Sequence, residues 1–373
     1  MSASIRPHAN SLTPALDNQD VLFAPGFAIL RQAIADKAFP AVSVAITHCG
    51  RLVALKALGR FTYEQDSPQV NTETVFDLAS VSKVVATTTG AMILYDHGLL
   101  DLEMPLAGLL PEFAGEDKRR GDVSLRMLLA HSSGLPAYEK LYLRAATKHA
   151  VLQEAFSVPL KNDPGTHAEY SDIGFILLGL AIERVAEETL DRFCQREVFG
   201  PVGMLQTTFN PPTAWKSRIP PTADDLIFRK RIIQGEVQDE NASALGGVAG
   251  HAGLFSTAGD VAIFAHTLLN AGTPLVRQEA LKMFARRQNI PHGTSRALGW
   301  DTPSSPSQSG KYFSPSSFGH LGYTGTSLWI DPQRQISITL LTNRTWPDCA
   351  NWAIKEVRPR FHDAVMKSLG AVS

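Results

Sequence analysis

Cysteine is scarce in this chain. Cys49, Cys194 and Cys349 are three residues of 373, far apart and odd in number. That argues against a disulfide framework and against a zinc site, and leaves small buried apolar residues as their default role. Charge of one sign is also lacking: 35 Lys and Arg stand against 36 Asp and Glu, a formal net charge of -1. Such a balance gives no electrostatic reason to expect nucleic acid or an anionic membrane as partner. The one basic cluster, Arg229-Lys230-Arg231, follows Asp224 and Asp225 and reads as a solvated face. No apolar run is long enough to span a bilayer. Residues 1–18 are polar and have no apolar core of signal-peptide type, so a cytoplasmic protein is expected, or a periplasmic or secreted one if a signal was trimmed. The histidines show no His-Glu-x-x-His spacing, and neither a metal nor another cofactor is implied.

What is present is an ordinary globular composition, 44% hydrophobic and 19% charged, in a chain long enough to bury a large core. Phe27, Leu30 and Ile34 recur at helical spacing before Pro40. Residues 41–46 and 52–58 are β-rich runs around Cys49-Gly50, which predicts a hairpin. A second hairpin is predicted from 328–330 and 336–341 around Asp331-Pro332, and a last helix presents Ile354, Val357, Phe361 and Val365, kinked or restarted at Pro359. Between these ends, 81–97, 124–131, 173–187 and 258–270 read as helices. Strands at both termini with helices between them predict an α/β (α+β) fold, in which one antiparallel sheet is built from the two ends of the chain. Residues 20–85 and 285–373 would form the sheet domain and 86–284 an inserted, mainly helical domain. The active site would lie between them.

Asp77-Leu78-Ala79-Ser80-Val81-Ser82-Lys83 opens the helix that Gly98 closes. Ser80 and Lys83 are three residues apart and share a helix face, where an amine can take the proton of a hydroxyl. The free N–H groups and positive dipole end there favour a developing oxyanion. Taken alone, Ser-x-x-Lys reads better as a helix N-cap with an exposed lysine. Two further motifs shift that balance. Pro164-Gly165 leads to Tyr170-Ser171-Asp172 at the start of an apolar helix, a turn that would aim a phenol into a cleft. Gly319-His320-Leu321-Gly322-Tyr323-Thr324-Gly325-Thr326 runs into the strand at Leu328, and glycines beside a strand allow close approach of a ligand.

The order of these three boxes resembles the serine β-lactamase and penicillin-binding protein superfamily, and most closely its class C-like branch with family VIII carboxylesterases and D-aminopeptidases. Residues 128–136, 239–255 and 341–344 add to the resemblance, which covers roughly residues 25–365. It implies that Ser80 is the acylated nucleophile, that Lys83 and Tyr170 handle its proton, and that the N–H groups of Ser80 and Tyr323 form the oxyanion hole. Asp172, His320, Gly322 and His251 would face the substrate, although a loop at the cleft rim is the favoured reading of His251. His131 and Asp260 look structural. Three departures bear on substrate. His320 stands where the family usually has lysine, and Asp172 where it usually has asparagine. Trp346-Pro347 aligns with a Tyr-Pro pair, which places Asp348 and Asn351 where an asparagine and an arginine are usual. A site stripped of positive charge implies an uncharged ester or amide rather than a β-lactam or D-Ala-D-Ala peptide, and Asp172 should seek a cation such as Lys83. The alternatives are a β-lactamase or D-alanyl-D-alanine carboxypeptidase, an acyltransferase, or a binding scaffold of the same fold. Oligomeric state is not legible.

Overall fold

The computed structural model describes residues 12–371, so most of the polar 1–18 stretch lies outside the described residues. Its main sheet has six strands: β1 (Thr13–Pro14), β2 (Ala41–His48), β3 (Arg51–Gly59), β4 (Phe318–Leu321), β5 (Ser327–Asp331) and β6 (Ile336–Thr342). Their order is β1-β3-β2-β6-β5-β4. β1 runs parallel to β3 and every other pair is antiparallel. The two ends of the chain meet at the β2–β6 junction, in register from Val42↔Thr342 to His48↔Ile336. This is the β-lactamase/transpeptidase-like α/β arrangement expected from the sequence. The short parallel β1 and the edge strand β4 are additions that the sequence pattern did not announce.

Five helices recur below: α1 (Ala24–Ala35), α2 (Thr89–Asp96), α3 (Asp172–Ala186), α4 (Ala258–Leu269) and α5 (Ile354–Ser368). Side chains alternate across a strand, so each central strand serves two cores. Val42, Val44 and Ile46, with Ile336, Ile338 and Leu340, meet Phe27 and Leu30 of α1 and Val357, Phe361 and Val365 of α5. The opposite face is small, with Ala41, Ser43, Ala45 and Thr47, and there α4 packs on β2 and β6. Burial on both faces is why β2 reads as a near-continuous buried run. Pro359 interrupts nothing at the level of element count: a single helix runs through it.

The helix expected at 81–97 begins earlier and changes hydrogen-bond pattern. A 3₁₀ turn at Ala79–Val81 passes into a wide π-type stretch, Lys83–Thr88, and then into α2. Phe76–Asp77, just before it, pairs with Leu254–Ser256, which pairs in turn with Thr208–Phe209. A separate hairpin joins Ala223–Asp225 to Arg231–Ile233. Of the basic cluster in its turn, Lys230 and Arg231 are exposed as expected, whereas the Arg229 side chain is only 7% exposed, because the turn folds it back onto the Asp225 carboxylate. Of the cysteines only Cys194 is buried. Cys49 is exposed at the β2–β3 turn and Cys349 is half-buried. No helix of the described residues is long and apolar enough to cross a membrane.

Candidate active site

Ser80 follows Ala79, whose φ of 47° lies in the left-handed region that residues with a Cβ avoid. The neighbourhood holds this turn from three sides. The Asp77 carboxylate accepts the N–H of Ala79 at 2.8 Å and that of Gln238 at 2.7 Å. Burial lifts the Asp77 carboxyl to about 6, and those two N–H groups oppose the rise. Thr324 and Thr326 each donate a hydroxyl at 2.8 Å, to the carbonyls of Asp77 and Leu78. The end of β4 therefore lies against the Ser80 turn. At Gly322 an added Cβ would sit 2.6 Å from the Leu78 carbonyl and against Thr326 Oγ1, so the close approach requires glycine.

Lys83 is fully buried, and its three donors meet three acceptors: Ser80 Oγ at 3.0 Å, Asp172 Oδ1 at 2.6 Å and the His251 carbonyl at 2.9 Å. Burial alone would depress its pKa, but the charge of Asp172 and the hydrogen bond to it act against burial, and the net shift is upward. Lys83 is thus an ammonium at rest. Asp172 is the first residue of α3, and Ser171 before it caps that helix by accepting the Gly174 N–H at 3.0 Å. This cap fixes Tyr170, whose ring lies 4.6 Å from that of His131 and 4.9 Å from Lys83 Nζ. The phenol oxygen is buried and closes no well-aligned hydrogen bond. Burial raises its pKa, while Lys83 and Ser80 beside it pull in the other direction without reversing the shift.

His320 sits on β4 opposite Leu328, and its Nδ1–H donates to the Leu321 carbonyl at 2.7 Å. Burial, then the charges of Lys83 and Arg296, push its pKa far below 6.5, so it is uncharged. His131 is held neutral in the same way and accepts the Ser171 N–H on Nδ1 at 3.0 Å. His251 departs from the rim position expected of it. Its imidazole is buried, with Nε2 2.8 Å from Asp239 Oδ1, and what it presents to Lys83 is its backbone carbonyl. The loop turns inward there because Asp239, which caps the short helix Glu240–Ala244, offers a carboxylate to the ring. Asp260 accepts the Gln206 N–H and the Thr207 hydroxyl, away from the cleft.

Asp348 and Asn351 also depart from expectation. Asp348 caps the Ala350 N–H, and the Asn351 amide donates to the Lys37 carbonyl at 2.7 Å, so both shape a turn rather than line the cleft. Nor is positive charge missing. Arg296 lines the cleft with its guanidinium 5.3 Å from the Tyr170 ring and 3.8 Å from Asp301. Arg358 also lines it, donating to the carbonyls of Gly322 and Thr326 at 2.9 Å and of Gly325 at 3.3 Å. Behind it Arg344 donates Nε to the Tyr323 carbonyl at 2.7 Å, with its guanidinium against the Tyr323 and Trp352 rings. The Tyr323 N–H, by contrast, reaches no backbone carbonyl among the described residues. Arg358 did leave a sequence signal, a cation inside the apolar stripe Ile354, Val357, Phe361, Val365. Arg296 left none, since it lies in a long loop. Among the described residues no group of His, Cys, Asp or Glu is placed to hold a metal ion. The cleft encloses about 820 Å³, with Ser80, Tyr170 and Asp172 in its wall.

Comparison with known proteins shows the family. The family model described as Beta-lactamase matches residues 27–353. The chain is 32% identical over 346 residues to a putative D-alanyl-D-alanine carboxypeptidase of Escherichia coli, covering 83% of this chain and 79% of that one. It is 32% identical over 345 residues to an N-acetylmuramyl-L-alanine amidase of Bacillus subtilis, covering 82% and 77%. Among solved structures, EstCE1, a hydrolase with promiscuous acyltransferase activity, superposes with a TM-score of 0.77 at 23% identity, over 93% of this chain and 99% of that one. A penicillin-binding protein homologue of Caulobacter crescentus gives 0.75 at 19% identity, over 96% and 99%. At these identities the structural likeness speaks for the fold, and together with the curated relatives and the matched model it identifies the chain as a serine hydrolase of the β-lactamase family, within the superfamily that includes penicillin-binding proteins.

Proposed function

We propose that the protein cleaves small ester or amide substrates through an acyl-Ser80 intermediate, with esterase-like specificity. The observation that carries this reading is Lys83 Nζ, buried and 3.0 Å from Ser80 Oγ, with its other two donors fixed by Asp172 and the His251 carbonyl. Ser80 Oγ attacks the substrate carbonyl and its proton passes into the Lys83–Tyr170 pair. The N–H groups of Ser80 and Tyr323 receive the oxyanion. On collapse the pair returns the proton to the leaving group, and water then releases the acyl group from Ser80. With Lys83 held as an ammonium and Tyr170 as a phenol, the form that accepts the Ser80 proton is a minor state at neutral pH. The uncharged His320 supports an ester or neutral amide, since it brings no cation to the position where the family usually has lysine.

A second reading, a carboxylate-bearing peptide or lactam, is favoured by Arg296 in the cleft wall and by the names of the curated relatives. Turnover of p-nitrophenyl butyrate and nitrocefin, measured side by side in wild type and Ser80→Ala, separates the two. Fast ester cleavage with little nitrocefin turnover, both lost in Ser80→Ala, is the expected result. Better turnover of nitrocefin gives the second reading. Full ester turnover in Ser80→Ala overturns the acyl-Ser80 mechanism.

A further inference from the structure

A short acyl group would leave most of an 820 Å³ cleft empty, and its lining includes large apolar and aromatic side chains interspersed with charged ones. One of these apolar side chains comes from the hairpin joining Ala223–Asp225 to Arg231–Ile233. At its tip Ile227 is 79% exposed and still lines the cleft. The tip is held firmly. The Asp225 carboxylate accepts the N–H groups of Ile227, Phe228 and Arg229 at 3.1, 2.9 and 3.1 Å, and pairs with the Arg229 guanidinium at 2.8 Å. The hairpin also bridges the two walls of the cleft. On one side the Asp224 N–H reaches the Pro347 carbonyl at 2.8 Å, in the loop that carries Trp352. On the other, the Phe228 ring lies 4.7 Å from that of Tyr142. A third link registers it to the nucleophile: Arg229 donates to the Gln238 carbonyl, and the Gln238 N–H bonds the Asp77 carboxylate that shapes the Ser80 turn.

Tyr138 and Tyr142 from one wall, Ile227 from the bridge, and Tyr323 and Trp352 from the other wall all line this cleft. We propose that these five side chains form a subsite for an extended apolar group of the substrate, aliphatic or aryl, carried on either the acyl or the alcohol side of the scissile bond. A fixed wall of this kind binds apolar surface with little ordering cost. Its specificity grows with chain length, by about fourfold per buried methylene. The inference rests on the acyl-Ser80 reading and refines its substrate class.

Two ester series test it, both kept below micelle-forming concentrations. One varies the acyl chain of p-nitrophenyl esters from C2 to C8. The other varies the alcohol of alkyl butyrates from C1 to C8. The expected result is a kcat/KM that climbs with chain length in one series, which then identifies the side that enters the subsite. In Ile227→Asp the ratio of longest to shortest chain should fall at least tenfold, and in Leu226→Asp, next to it but outside the cleft lining, it should persist. Flat series in both, or an unchanged ratio in both Ile227→Asp and Trp352→Ala, overturn the subsite while leaving the hydrolase reading intact. If no ester of either series is cleaved, or every ester is cleaved equally by Ser80→Ala, the acyl-Ser80 reading has failed. The subsite is then read by equilibrium binding of n-octanamide and acetamide to the Ser80→Ala protein. Tighter binding of octanamide that Ile227→Asp abolishes supports the subsite, and equal binding of the two overturns it.

Discussion

Lys83, behind Ser80, and Arg358, in the cleft wall, are both buried cations, and they are neutralised in opposite ways. Lys83 meets a carboxylate, a hydroxyl and one carbonyl. Arg358 meets three backbone carbonyls, and among the described residues no carboxylate pairs with it or with Arg344 behind it. The consequences diverge. The charge of Asp172 overcomes burial at Lys83, whereas burial and the neighbouring Arg344 press Arg358 down to about 9. A cation facing an ionisable partner has a charge that the partner can tune. A cation facing carbonyls is a cross-link, and Arg358 ties residues 322–326 to α5 in the same way that Thr324 and Thr326 tie them to the Ser80 turn.

The largest expected effect is on the tunable side. Ser80→Ala or Lys83→Ala should lower kcat/KM by on the order of 10⁴- to 10⁶-fold, since residues that act as a unit fail together. Single-turnover assays with an activated ester read this directly, and a Lys83→Ala enzyme within tenfold of wild type would break the assignment. Arg358→Met tests the other side. It keeps the apolar stem but removes three hydrogen bonds and leaves the Gly325 carbonyl without its donor, at about 1 kcal/mol for each bond, for a loss of about 3 kcal/mol in urea unfolding. A variant as stable as wild type would mean that the guanidinium is not a cross-link.

Asp172→Asn probes the tuning itself. The wild-type rate should rise toward alkaline pH, because both Lys83 and Tyr170 hold their protons above their ordinary values. Asp172 is the leading cause that raises Lys83 against burial, so removing its charge lets burial lower the lysine. The alkaline limb of the kcat/KM profile should therefore move to lower pH in Asp172→Asn. A limb that stays in place would show that Asp172 positions Lys83 without setting its charge.

The same contrast explains what could be read from the sequence. The hairpins 41–58 and 328–341 were legible because strand periodicity is local and both sit in a sheet buried on two faces. Ser80, Lys83, Tyr170 and Asp172 stood out through the order of three boxes and the family resemblance that this order carries, since no single spacing singled them out, and Asp172 does meet the cation expected of it. Loops were not legible. Asp348 and Asn351 point into turn hydrogen bonds, the His251 ring turns inward to Asp239, and Arg296 reaches the cleft from a loop with no periodicity to mark it. Asn351 depends on a partner far along the chain, Lys37, and the others on how an irregular loop closes on itself, and no single-residue pattern records either.

The smallest expected effect comes from histidines that sense these two cations. His320 is depressed by burial and then by Lys83, and His362 by burial and then by Arg358, to about 3. An unfolded histidine takes up its proton below about pH 6.5, while folded His362 stays neutral down to about 3. Stability therefore falls as pH drops through this window, by about 1.4 kcal/mol per unit for each such histidine once well below 6.5. Asp77 works against the loss: its folded carboxyl, at about 6, takes a proton before the unfolded one does, which adds stability on acidification between about 6 and 4. Burial also lowers His131 and His266 and raises Glu183, Glu240 and Asp260, so histidines and carboxyls pull stability in opposite directions on acidification, and the histidine share is a decline of the urea midpoint from pH 7 to pH 5. Arg358→Met removes the charge next to His362 and should make that decline shallower relative to the variant's own value at pH 7. An unchanged slope would mean that burial alone holds His362 neutral, and that the influence of Arg358 ends at the carbonyls it binds.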